Sequence, residues 1–400
     1  MTEVTIIGGG AAGMAAAVFA AEEGLKVQLF EKNEKLGKKL YITGKGRCNF
    51  TNACTPEEFL ENVVSNRKFL YSAIYGFTSA DTIYFFERLG LKTKVERGRR
   101  AFPVSDHSSD VIKALRKRIE ELGVEVKLNT EVKELPIPDE DHAVIAATGG
   151  LSYPSTGSTG DGYGFAEKTG HRITETRPAL VPFETKEDFV KDLQGLSLRN
   201  VTLTLKNGKK TVYEGFGELL FTHFGVSGPL VISASSYAAA VLKDTSLQAH
   251  IDLKPALDFE QLDNRLVREF DSGKNKYFRN ILSGLLPSKM IPVMIRRTGI
   301  PEDRSVNSLT REDRKRLAES LKDFSFTVTG TRGYNEAVIT QGGISVRDID
   351  PKTMESKLVK NLYFIGEVLD VDALTGGYNL QIAWATAYAA AKSIAEKAAQ

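Results

Sequence analysis

Three glycines, Gly8, Gly10 and Gly13, stand at G-x-G-x-x-G spacing within Thr5-Ile6-Ile7-Gly8-Gly9-Gly10-Ala11-Ala12-Gly13. That spacing binds phosphate when a strand runs into it and a helix leaves it. Gly8 permits the tight turn, Gly10 admits a pyrophosphate to the backbone, and Gly13 lets helix pack closely on strand. Free N–H groups at the helix start, from Ala11 and Ala12 onward, would hold the anion. A second apolar run, Val27 to Phe30, ends in Glu31, about 20 residues on, where an acid would hydrogen-bond a ribose hydroxyl. A glycine-rich turn without ligand is the plain alternative, but here the context that the motif demands is present.

Further stretches carry the same chemistry. Thr43-Gly44-Lys45-Gly46-Arg47-Cys48-Asn49-Phe50-Thr51-Asn52 combines glycines, cations and short polar side chains. Such a loop suits phosphate and flavin ring edges, because Lys45 and Arg47 complement anions and backbone N–H groups line a nest; a plain surface loop is the other reading. Ala147-Thr148-Gly149-Gly150 closes an apolar strand and supplies a second backbone face against a cofactor. Asp161, before the helix expected at Gly162–Thr169, is either a helix N-cap or a ligand neighbour. Near the C-terminus, Leu362 to Ile365 runs into Gly366-Glu367. Asp370, Asp372, Gly376-Gly377-Tyr378-Asn379-Leu380-Gln381 and an alanine-rich helix follow. That helix start could stabilise negative charge on a reduced flavin.

The elements that must position these residues can be read from periodicity. Helices are expected at Glu57–Val64, Ser79–Leu89 and Ser109–Leu122, the last closed by Gly123. Strands are expected at Val124–Leu128 and Asp141–Ala147, with a short one at Glu131–Leu135. The style changes at Arg177–Pro182. Val201–Leu205, an Asn207-Gly208 turn and Thr211–Tyr213 form a hairpin, and Leu247–Leu253 alternates again. After Pro255, helical patterns occupy Phe259–Phe270, Tyr277–Leu286, Ser288–Arg297 and Thr310–Lys322. The division expected is an α/β Rossmann-like domain over 1–181 and 325–400. A β-barrel-like insertion over 182–254 and a small helical domain over 255–324 interrupt it.

The 400 residues carry 53 basic and 51 acidic side chains, a net charge of +2, so bulk electrostatics demand no polyanionic partner. Locally, Lys92, Lys94, Arg97, Arg99 and Arg100 form a basic cluster, either a solvated face or a phosphate contact. Two cysteines, Cys48 and Cys54, exclude a disulfide scaffold and a zinc half-site and fit a reducing cytoplasm. No signal peptide and no membrane-spanning stretch is apparent. No metal site is expected.

Taken together, Gly8–Gly13, Thr43–Asn52, Ala147–Gly150 and Gly366–Gln381 resemble the flavoprotein family often labelled BaiN/RdsA, or aminoacetone-oxidase-type FAD-binding proteins, with two dinucleotide-binding domains. Gly217-Glu218-Leu219-Leu220-Phe221-Thr222-His223-Phe224-Gly225-Val226-Ser227-Gly228-Pro229 and Thr353-Met354-Glu355-Ser356-Lys357 are similar to further signatures of that family. One departure is Thr43-Gly44-Lys45-Gly46, where relatives more usually carry Ser-Gly-Gly-Gly. The resemblance implies non-covalent, extended FAD, with cofactor contacts that also include Lys32, Lys39 and Val132. It implies NAD(P)H-dependent reduction of conjugated carbon–carbon double bonds, in steroid-type enones or in uridine of ribosomal RNA. No second G-x-G-x-x-G follows a strand in the insertion, so the nicotinamide is expected to dock transiently.

Such a reduction needs a proton donor beside the hydride acceptor and hydrogen bonds on the carbonyl. Cys48, His223 and Tyr378 are the catalytic candidates, with Arg47 and Asn379 as polarising groups. Glu367 and Asp372 could hold water on the ribityl or phosphate side. A structural histidine in the β domain and a small buried thiol behind the flavin are the alternatives for His223 and Cys48. Rival functions are an amine oxidase passing electrons to oxygen and a non-enzymatic flavin-binding, RNA-associated module.

Overall fold

The computed structural model describes residues 2–399 and divides into two compact units, residues 1–179 with 333–400, and residues 180–332. Each is described by itself.

The first unit is built on a five-stranded parallel sheet. Its order is Leu362–Phe364, His142–Ala146, Glu3–Ile7, Lys26–Phe30 and Glu125–Lys127. Four of the five residues of Glu3–Ile7 are buried, as expected of a central parallel strand covered on both faces. The helix Ala11–Glu22 follows with every residue from Ala12 to Ala20 buried. Small side chains let it lie close to the sheet and to the C-terminal helix Tyr378–Ala398. Where larger groups are needed, an aromatic cluster fills the space. Phe86 meets Trp384 edge-on at 5.4 Å, and the Trp384 indole N–H donates to the Phe50 carbonyl at 2.8 Å. Strand Ile173–Ala179 and the wholly buried strand Ile339–Ile344 pair antiparallel at the points where the chain leaves this unit and returns to it.

The second unit is a closed six-stranded barrel: Phe183–Thr185, Gly225–Ser227, Lys210–Phe221, Ser197–Asn207, Leu247–Asp252 and Phe324–Thr331. Alternate residues Val201, Leu203 and Leu205 point into its core, the period of two that one buried face demands. The hairpin turns at Asn207–Lys210 with Gly208 left-handed.

Several elements differ from the periodicity. Glu131–Leu135 forms no strand. The helix at Pro56–Glu61 stops early, and Val63–Ser65 pairs with Asp372–Ala373 instead. Helix Pro229–Leu242 lies inside the β-rich stretch; its alanine and serine content leaves little amphipathic signal. The barrel takes its sixth strand, Phe324–Thr331, from beyond the helices, so strands and helices share one core cluster. Closure removes an exposed sheet edge, and a local reading of the chain does not register that distant partner.

Candidate functional site

The chemistry converges on one open cavity of the first unit. Its floor is the glycine turn. Gly8 sits at φ +105°, and a Cβ there would lie 2.5 Å from the Ala147 carbonyl oxygen; one on Gly13 would lie 1.8 Å from the Gly8 oxygen. At Gly10 a Cβ would meet nothing within 4 Å, so this backbone faces open space. No side chain caps the helix that starts at Ala11, which leaves its first N–H groups for a ligand.

Glu31 locks this turn to the next strand. Its carboxylate accepts from Gly9 N at 2.8 Å, Asn33 N at 2.8 Å and Asn33 Nδ2 at 2.6 Å. Lys32 pairs with Asp161 at 2.6 Å. Asp161 is the first residue of helix Asp161–Lys168 and left-handed Gly160 occupies the cap position, which corrects the N-cap reading of Asp161. Deeper in, Lys39 Nζ meets Glu367 at 2.6 Å. The same carboxylate accepts from Ser152 Oγ and Thr340 N, each at 2.9 Å. Glu367 therefore crosslinks the segments around Lys39, Ser152 and Thr340, rather than standing free to hold water.

Of the expected cofactor residues, Gly8, Gly10, Ala11, Ala12, Glu31, Lys32, Lys39, Thr43, Val132, Ala147, Thr148, Gly149, Asp161, Glu367, Asn379 and Leu380 line the cavity. Gly13, Gly44, Arg47, Cys48, Asn49, Gly150, Gly366, Asp372, Gly376, Gly377 and Tyr378 are not among its lining residues. Arg47 is held in ion pairs with Glu96 at 2.5 Å and Asp106 at 2.6 Å. Asn379 folds back on the chain: its amide oxygen accepts from Ala373 N at 2.9 Å and its Nδ2 donates to Ala373 O at 2.7 Å. Cys48 is wholly buried, and burial pushes its thiol far up. Tyr378 starts the uncapped C-terminal helix; burial raises its phenol to about 12. His223 is exposed in the barrel unit, on the turn between Lys210–Phe221 and Gly225–Ser227, with Phe224 edge-on at 5.0 Å.

Sequence reasoning missed Val338, Ile339 and Thr340 in the lining. Thr340 Oγ1 accepts from Leu151 N at 2.8 Å and Ser152 N at 3.0 Å. A continuous buried strand shows no such role in its pattern, and only the segment's return after the insertion hinted at it.

The lining fits FAD on two counts. The uncapped helix N-terminus suits a pyrophosphate, and the Thr148 hydroxyl oxygen, buried in the wall, has no hydrogen-bond partner. Buried polar atoms without partners are uncommon, and a ligand atom would satisfy this one. Behind the wall, burial pushes Asp372 up to about 6, against hydrogen bonds from Ser65 and Gln341. Among the described residues no cluster of three or more His, Cys, Asp or Glu is placed to hold a metal ion, and no helix is long and apolar enough to cross a membrane.

Comparison with known proteins agrees with this geometry. A family profile described as "HI0933-like protein Rossmann domain" matches residues 2–393. A ribosomal RNA dihydrouridine synthase of Haemophilus influenzae is 35% identical over 99% of both chains. A 3-dehydro-bile acid delta(4,6)-reductase of Clostridium scindens is 30% identical over 99% of this chain and 100% of that one. Among solved structures, 3-ketosteroid-delta4-(5alpha)-dehydrogenase of Rhodococcus jostii is similar in fold, with a TM-score of 0.53 at 13% identity; 98% of this chain and 97% of that one are covered. The chain belongs to the HI0933-like family, with the Rossmann-type FAD-binding fold of flavoprotein oxidoreductases.

Proposed function

We propose that this protein is an FAD-dependent reductase that uses NAD(P)H to saturate a carbon–carbon double bond conjugated to a carbonyl, acting in the cytoplasm on uridine in ribosomal RNA. The observation that carries the reading is end-to-end similarity to relatives named for such reductions, joined to a cavity whose glycine turn and orphaned Thr148 hydroxyl suit FAD. Two of those relatives, at 35% and 33% identity, are named for ribosomal RNA. A small enone is the second reading, favoured by the bile-acid reductase at 30%.

When bound, FAD would supply hydride chemistry. The chain's own residues do the rest. N–H groups at Ala11 and Ala12 would hold the pyrophosphate, Glu31 would accept from the ribose, and the Thr148 hydroxyl would donate to the cofactor. The N–H groups at the start of Tyr378–Ala398 stabilise negative charge. With Cys48 in the core, Tyr378 and His223 are left as the candidate proton donors, and neither is among the residues lining the cavity. A phenol raised to about 12 stays protonated at neutral pH and so is available as a donor.

The test is anaerobic. NADPH is added to the yellow holoenzyme, followed by uridine-containing ribosomal RNA, an enone, an amine or air. Bleaching by NADPH with recovery on RNA supports the reading. Recovery on the enone alone moves it to the second substrate, and bleaching only by an amine replaces it with an oxidase. In the same assay, Tyr378→Phe and His223→Asn separate the two donors: loss of kcat with flavin reduction intact identifies the one that acts.

A further inference from the structure

The segments 35–47 and 92–107 hold ten lysines and arginines and only two carboxylates, in a chain whose whole balance is +2. The first segment supplies Lys38, Lys39, Leu40 and Thr43 to the cavity wall. The second contains the hairpin Thr93–Glu96 and Arg100–Pro103. They are bolted together: Arg47 reaches Glu96 and Asp106, and Lys94 reaches Asp106 at 2.7 Å. Ser108 Oγ donates to the Tyr41 carbonyl at 2.5 Å, which fixes the first segment beside the second.

Those contacts engage both carboxylates. Lys38, Lys39 and Arg99 find acids outside the segments. Lys35, Lys45, Lys92, Arg97 and Arg100 have no ion pair among the described residues. Between these cations lie large side chains left in water: Tyr41 at 54% exposure, Val95 at 53%, Val104 at 50% and Ile42 at 40%. Lys35 Nζ lies 5.7 Å from the centroid of the Tyr41 ring. Unpaired cations interleaved with a stackable ring are what a flexible polyanion with unstacked bases requires.

We propose that this surface, running outward from the cavity wall along Tyr41–Arg47 and the hairpin, docks single-stranded RNA flanking the reacting nucleotide. Tyr41 stacks a base, and Lys45, Arg97 and Arg100 contact phosphates. The inference rests on the RNA reading of the cavity and adds the surface that would recognise the strand.

The probe is fluorescein-labelled oligouridylate of about twelve nucleotides, a length that suits a single-strand groove, bound to the holoenzyme and followed by anisotropy across a salt series. A duplex RNA of the same length and inorganic polyphosphate serve as comparators. The triple variant Lys45→Gln, Arg97→Gln, Arg100→Gln is expected to flatten the salt slope by about 2, at roughly 0.7 per phosphate contact. Tyr41→Ala is expected to weaken binding roughly tenfold with the slope kept, and Tyr41→Phe to restore it. At saturating RNA, Tyr41→Ala and the double variant Arg97→Gln, Arg100→Gln should keep their kcat, while KM rises. Unchanged affinity and slope in the triple variant overturn the proposal, as does binding of duplex or polyphosphate as tight as that of the oligouridylate. Failure of NADPH to bleach the flavin is a separate result that removes the reductase reading itself.

Discussion

The two units treat buried polar groups differently. In the barrel unit the one buried carboxylate, Asp313, is fully accounted for by the chain: it caps its own helix with Thr310 and pairs with Arg304 and Arg316. In the cofactor unit, Glu31, Asp348 and Asp372 are buried with a larger set of hydroxyls and amides, and one cavity-wall hydroxyl, that of Thr148, has no partner. Burying an unpaired polar group costs about 1–3 kcal/mol. A unit that tolerates such a cost beside a cavity keeps the group for something that binds there. The barrel is closed on itself, whereas the cofactor unit is completed by its ligand.

That contrast can be broken by substitution. The largest effect is expected at Gly13→Val, where even the first side-chain carbon would overlap the Gly8 carbonyl. The protein should purify without flavin absorbance or fail to fold. Gly10→Val separates these outcomes, because a Cβ there meets no atom within 4 Å: the apoprotein should keep its melting temperature while FAD affinity falls at least tenfold. Equal melting losses in both variants would refute the phosphate role of Gly10. In the barrel, Phe221→Ala removes a fully buried ring and should cost about 3–5 kcal/mol in denaturant unfolding, with FAD affinity of the folded fraction unchanged.

Asp372 gives a pH signature. Its folded value near 6 exceeds the unfolded value near 3.9. The folded state therefore holds the proton more tightly, and the associated stability is present below pH 4 and lost as pH rises through 6. Relative to Asp372→Asn, the wild type should lose up to about 3 kcal/mol across that window. Parallel stability curves for the two proteins would show that the carboxyl is not protonated in the fold. The smallest effect is expected at Thr148→Val. Removing an orphaned hydroxyl should leave apoprotein stability level or slightly higher, yet weaken FAD several-fold, about 1 kcal/mol. A loss of apoprotein stability with FAD affinity intact would assign that hydroxyl to the fold.

The legible parts of this chain are those where a residue type is forced by local geometry. Gly8 and Gly13 are dictated by contacts under 3 Å, so their spacing announces the strand, the turn and the phosphate site together. The alternation of Val201, Leu203 and Leu205 announces the barrel. What stayed hidden depends on partners far along the chain. Glu367 is bound to Lys39 and Thr340, and nothing near position 367 names those neighbours. Arg47 looks like an anion ligand beside its glycines until Glu96 and Asp106 are folded against it. The sixth barrel strand follows more than fifty residues of mostly helical chain, beyond the reach of any periodicity.

The central claim is that the cofactor unit binds FAD so that NADPH electrons reach uridine in RNA. Its most direct measurement is the flavin absorbance of the holoenzyme through one anaerobic cycle, with dihydrouridine assayed in the added ribosomal RNA. The account predicts bleaching by NADPH, recovery on adding RNA, and about one dihydrouridine per flavin reoxidised, the stoichiometry of a two-electron hydride transfer. Flavin that NADPH leaves oxidised, or that recovers without any dihydrouridine in the RNA, would contradict it.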